Sequence, residues 1–122
     1  MNKIEVSVQP AYIAEQSDPQ NEHYVFSYTV TIRNTGSRPA KLLSRHWIIT
    51  DGNGEIQEVK GDGVIGKQPY LKPGDEFRYT SGTFMNTAFG TMHGSYQMIT
   101  DDGEKFDAEI PAFQLAAPNA LH

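Results

Sequence analysis

Residues 24 to 32 alternate without a break, with Tyr24, Phe26, Tyr28, Val30 and Ile32 on one side and Val25, Ser27, Thr29 and Thr31 on the other. Successive side chains on a strand point to opposite faces, so this pattern describes a strand with one buried face. It reads as a central strand of a sheet. Shorter stretches of the same period occur at Ile4, Val6 and Val8, at Phe77 and Tyr79 before Ser81, at Tyr96 and Met98, and at Phe106, Ala108 and Ile110. Nowhere is a helical period sustained.

Residues 40 to 50 read as a strand that becomes apolar on both faces at Trp47, Ile48 and Ile49, and it stops at Asp51-Gly52-Asn53-Gly54. Asn-Gly is a strong hairpin signal because both residues tolerate the positive φ of a type I′ turn. The returning strand is Glu55 to Lys60, and a second hairpin turn is expected at Asp101-Asp102-Gly103-Glu104, leading into Lys105 to Pro111. About seven strands, with Trp47 in an early central one, predict an all-β immunoglobulin-like or fibronectin type III-like sandwich. The 122 residues suffice for one domain over 1–122, with a loose tail over 115–122. Three connections read as irregular: Ala14 to Glu22, Gly61 to Gly74 and Phe84 to His93. The second is long enough to be either functional or the host of a short edge strand.

Composition narrows the function. With no cysteine, a disulfide framework, a zinc-thiolate site and a cysteine nucleophile are all excluded, which favours the cytoplasm. No signal-like or membrane-length apolar run is present, so no membrane insertion is expected. The net charge of −5 argues against nucleic acid as a partner. Charge is nevertheless uneven: Arg33, Arg38, Lys41 and Arg45 lie in a stretch between Glu22 and Asp51 that contains no acid. They form either a basic patch for an acidic partner or a phosphate, or a solvated set interleaved with acids from neighbouring strands.

Gly61-Asp62-Gly63-Val64-Ile65-Gly66 matches G-x-G-x-x-G, with Lys67 beside it. In dinucleotide-binding proteins that pattern turns a strand into a helix whose N-terminus holds pyrophosphate. Here Gln68 and Pro69 follow instead of a helix, so the expected role is a turn, with an anion nest as the alternative. Asp51, Asn53 and Glu55 have the spacing that opens a calcium loop but lack its closing carboxylate. His23, His46, His93 and His122 are scattered, and Met85, Met92 and Met98 suit a core. No metal site and no cofactor is expected. There is no G-x-S-x-G elbow and no S-x-x-K, and Asp101, Asp102 and Glu104 fall on an exposed turn, so an enzyme is not expected.

Taken together, several segments resemble the ApaG family, also called CorD, over almost the whole chain. They are Tyr24-Val-Phe-Ser-Tyr28, Arg45-His-Trp-Ile-Ile-Thr-Asp51, Val59-Lys-Gly-Asp-Gly-Val-Ile-Gly66, Gln68-Pro69, Pro73-Gly74, Tyr79-Thr-Ser-Gly82, Gly94-Ser-Tyr96 and Ile110-Pro-Ala-Phe-Gln-Leu115. The resemblance implies a fibronectin type III-like sandwich and a bacterial cytosolic protein linked to cobalt resistance and magnesium efflux, without established enzymatic activity. It also implies kinship with domains of a eukaryotic F-box protein and a polymerase-interacting protein, where they look like protein-recognition modules. The expectation is a non-enzymatic protein-binding module, monomeric or weakly dimeric through its sheet edges. The alternative is binding of a nucleotide, pyrophosphate or divalent metal through the glycine-rich loop.

Overall fold

The alternation at 24 to 32 becomes a strand whose Phe26, Tyr28, Val30 and Ile32 are all buried, because a second sheet covers that face. A computed structural model describes residues 2–118 of the chain. Eight strands run in order: β1 (Ile4–Tyr12), β2 (Tyr24–Asn34), β3 (Ala40–Asp51), β4 (Ile56–Asp62), β5 (Tyr70–Leu71), β6 (Glu76–Met85), β7 (Phe89–Thr100) and β8 (Lys105–Ala116). Two 3-10 turns, Ala14–Gln16 and Pro19–Asn21, fill the first expected connection. Pairing is antiparallel throughout, in a three-stranded sheet of order β1-β2-β6 and a five-stranded sheet of order β4-β3-β7-β8 with β5 also on β3. This is the expected immunoglobulin-like, fibronectin type III-like sandwich, with one strand more than expected.

The core is organised around Trp47 of β3. Its indole meets the Tyr28 ring of the opposite sheet edge-on at 5.2 Å, and Phe113 and Tyr96 of its own sheet at 6.0 and 6.4 Å. Such edge-to-face pairs add stability beyond the area they bury. Met92, Met98, Leu42, Ile110 and Leu115 fill the remaining space, so Met85, Met92 and Met98 are core residues. At one end of the sandwich the buried Asn34 binds three segments together. Its amide nitrogen donates to the carbonyls of Arg38 and Leu71, and its amide oxygen accepts from Gly36 N–H.

Four local expectations change. The connection expected over Phe84 to His93 shrinks to residues 86–88, since β6 runs through Met85 and β7 starts at Phe89. Gly90 and Gly94 sit inside β7, where backbone or side-chain atoms, including the Thr50 and His46 carbonyls, occupy the place of a Cβ. The tail does not begin at 115: Leu115 and Ala117 are buried, and Ala117 N–H donates to the Ala88 carbonyl. The remainder of that tail, with His122, lies outside the described residues. Neither hairpin uses a type I′ turn. In each, only the glycine has positive φ (Gly54, 82°; Gly103, 88°), and the N–H of Gly54 or Gly103 bonds the carbonyl three residues back, as in a three-residue loop. Finally, β4 extends to Asp62 and β5 lies within Gly61 to Gly74, so that segment is less of a loop than it looks in sequence.

Because Trp47 fills the centre of the interface, Trp47→Ala is expected to lower unfolding stability by about 3–5 kcal/mol. Urea unfolding followed by far-ultraviolet circular dichroism measures it.

Candidate functional site

Counting alternately from Ala40 and Leu42, both buried, would point Arg45 to solvent. A bulge in the β3–β7 register between Leu42 and Ser44 shifts the phase by one residue, so that Arg45, Trp47 and Ile49 share the inward side. Arg45 therefore stands at the mouth of the sandwich interior. Its Nη1 donates to the carbonyls of Asp62 and Gly63 at 3.0 and 2.9 Å. Among the described residues no carboxylate pairs with it. A half-buried cation held only by carbonyl dipoles retains most of its attraction for an anionic group.

The same bulge organises the glycine-rich segment. The carbonyl of the bulged Leu43 accepts from Gly63 N–H and from the Gln68 side chain, and Leu42 N–H donates to the Pro69 carbonyl. Val64 is buried, and it pairs with Lys67 around a two-residue turn in which Ile65 and Gly66 both have positive φ, 43° and 77°. The glycines of the motif thus answer to local sterics. A Cβ on Gly61 would lie 2.9 Å from the Arg45 guanidinium, one on Gly63 would collide with the Lys67 carbonyl, and Gly66 occupies a left-handed turn position. The N–H groups of Gly63, Val64 and Lys67 all donate to carbonyls within the chain. The loop presents carbonyls to Arg45, the opposite polarity to a phosphate-binding nest.

Beside Arg45, a cavity of about 160 Å³ opens between β6 and the β3–β4 pair, floored by Tyr28, Trp47, Val59 and Met92 and rimmed by Ser81 and Thr83. Deeper inside, the Tyr79 and Tyr96 hydroxyls bond each other. Burial pushes the Tyr79 hydroxyl up to about 12, against the pull of its bond to Tyr96 and of the Arg45 charge. Burial, then the neighbouring Tyr79, raise Tyr96 further still.

The outer face of the same sheet carries a shallow concavity of about 450 Å³ over Ser44, His46, Lys60 and Gln97. Several of its polar groups pair with neighbours: Ser44 Oγ donates to Gln97 Oε1, Gln97 Nε2 donates to Ser95 Oγ, and His46 Nε2 lies 2.6 Å from a Glu58 carboxylate oxygen. No serine is paired with an imidazole there. Among the described residues no three His, Cys, Asp or Glu side chains converge on a metal position. Asp51 instead caps its own turn, accepting from Asn53 and Glu55 N–H.

The four basic residues do not converge. Arg33 lies on the exposed face of the three-stranded sheet, in register with Glu5 and Glu76 on its neighbours. Arg38 pairs with Asp102 and Glu104 at 3.2 and 3.4 Å. Lys41 projects from the opposite outer face, and Arg45 points inward. Arg33 and Arg38 lie among acids, and of the four only Arg45 lines the cavity between β6 and the β3–β4 pair. Phe84 on β6 is 59% exposed against His23, a contact that strand alternation did not single out.

Fold and site together define a fibronectin type III-like sandwich domain with an apolar-floored cleft, Arg45 at its mouth, along one open side. The model of the ApaG domain matches residues 14–100. The chain is 62% identical over 120 residues to Protein ApaG of Dechloromonas aromatica and 60% identical to that of Azoarcus sp., in each case over 98% of this chain and 94% of the relative. A crystal structure of an ApaA protein from Bordetella pertussis superposes with a TM-score of 0.94 at 52% identity, covering 97% of this chain and 96% of that one. The chain belongs to the ApaG family. Among the described residues no helix is long and apolar enough to cross a membrane.

Two outcomes follow from these contacts. A β-branched side chain at positive φ is strained by about 1–2 kcal/mol, so Ile65→Asn is expected to raise stability by roughly 1 kcal/mol, read from the urea midpoint at unchanged slope. Tyr79 and Tyr96 are held neutral in the fold. Below pH 10, the ordinary tyrosine value, folded and unfolded hydroxyls are equally protonated and their contribution is fully present. Between pH 10 and about 12 the unfolded chain ionises first, so stability falls across that window. The fall should be shallower in Tyr79→Phe, with phenolate absorbance reporting the ionisation.

Proposed function

We propose that this protein is a non-enzymatic recognition module that binds a protein partner along the open side between β4 and β6. The observation that carries the reading is a mismatch in sheet width. The five-stranded sheet presents β4-β3-β7-β8, while the facing sheet has only β1-β2-β6. β1 packs beside β8 at one side, so at the other side no strand of the narrow sheet among the described residues is paired beyond β6 to cover β4, and Val59 and Arg45 face the gap. An unfilled seam with an apolar floor is a docking surface in search of a complement.

Absence of cysteine accords with a reducing compartment, and we place the module in the cytoplasm. The cobalt and magnesium links of the family would then be exerted through the bound protein, a transporter or its regulator, rather than by a metal held in this chain.

Thr83→Arg, which thrusts bulk and positive charge into the cleft, tests this against Gln9→Arg on the far edge strand, thermal midpoints confirming the fold of both. In pull-downs from native lysate the wild type and Gln9→Arg are expected to retain one protein in stoichiometric amount, and Thr83→Arg to lose it. Equal retention by all three, or no stoichiometric protein, would overturn the reading.

A further inference from the structure

The edges of the two sheets are not equally protected. Edge strands invite pairing unless blocked by proline, charge, a bulge or a cover. β1 carries Pro10 and packs against β8, and β8 carries Pro111. β4 alternates Glu58, Lys60 and Asp62. β6 has charge only at its start, at Glu76 and Arg78; from Tyr79 to Met85 it has no charge and no proline, and its register with β2 runs without a bulge. Its outer edge therefore offers an unbroken row of backbone donors and acceptors beside the cleft.

Resting on the recognition reading above, we propose that β6 accepts an extended segment of the partner protein as a fourth strand of the narrow sheet. One apolar side chain of that segment lies over Trp47 and Val59, and a carboxylate two residues away reaches Arg45.

Geometry sets each element. A strand added to β6 would occupy the missing place opposite β4, with alternate side chains entering the interior. A cavity of about 160 Å³ matches one apolar side chain, on the scale of an opening that accepts benzene. The carboxylate follows from charge complementarity, because Arg45 lines the same cavity and lacks an acidic partner among the described residues. A second copy of this chain does not supply it. The inward residues of β6 are Phe77, Tyr79, Ser81, Thr83 and Met85, and those of β4 are Gln57, Val59 and Gly61. None is acidic, so pairing of β6 with either strand of another copy leaves the guanidinium bare.

Selection of a displayed random-peptide library on the full chain, followed by amide mapping with the enriched peptide, tests the assignment. Enriched peptides are expected to carry Asp or Glu two positions from Val, Ile, Leu or Phe, and to shift the amides of residues 80–84 and the Arg45 side-chain resonance. Arg45→Gln should weaken binding about tenfold, the scale of one lost charge pair. Because N–H groups of adjacent strand residues point to opposite sides, one of Ser81→Pro and Gly82→Pro spares the β2 ladder; the variant that keeps the wild-type thermal midpoint should lose the peptide. No enrichment, enrichment without an acid, shifts away from β6, or peptide retention by the well-folded proline variant would each overturn strand addition. If that proline variant still holds the lysate partner, recognition stands and strand addition fails; if wild type holds none, the broader reading fails first.

Discussion

The indole of Trp47 holds the two sheets at their working distance, and much of the remaining arrangement follows from where it stands. Tyr28 meets it from across the interface, while Phe113 and Tyr96 hold it from its own sheet. Seating a tryptophan inward at that point of β3 obliges the residue two places earlier to point inward too. That residue is Arg45, whose charge cannot be buried unassisted. Relief comes from the carbonyls of Asp62 and Gly63, and the guanidinium sits over Gly61, where a Cβ would lie 2.9 Å away. The packing of one aromatic ring thus reaches, through strand period and desolvation, into the conformation of the glycine-rich loop.

How much of this was legible in the sequence depends on whether the signal was local. The alternation of β2 and the two hairpins were readable because strand period and turn chemistry act between near neighbours. The hairpin turn type was not, because Asn-Gly suits both a type I′ turn and the last two places of a three-residue loop. The place of Gly90 and Gly94 inside β7 had no local signal, because the atoms that require them belong to other strands. The inward phase of Arg45 was hidden by the bulge after Leu42, marked in sequence only by the doubled leucine at Leu42 and Leu43. The role of Asn34 as a buried three-way tie depends on Leu71, far along the chain, and has no local signal. The cleft itself depends on strand order, which no local pattern encodes.

The glycine-rich motif illustrates how a pattern can keep its spacing and lose its usual meaning. In a strand–turn–helix setting such glycines clear room for phosphate. Here they clear room for a guanidinium, for a carbonyl and for a left-handed turn, and the N–H groups of Gly63, Val64 and Lys67 are spent on the chain's own carbonyls. Ile65, exposed and held at positive φ at the tip, is the one residue of the loop that local sterics would not choose.

The routing of the strands has a mechanical corollary. β1 starts opposite Asn34, at the pole where β3 also begins, whereas β8 finishes opposite Phe89, at the pole where β3 ends. Tension applied through these two strands would pull each lengthwise along its ladder, loading many hydrogen bonds simultaneously instead of peeling them one by one. Held in series with other domains, such a sandwich would resist stretching by shear.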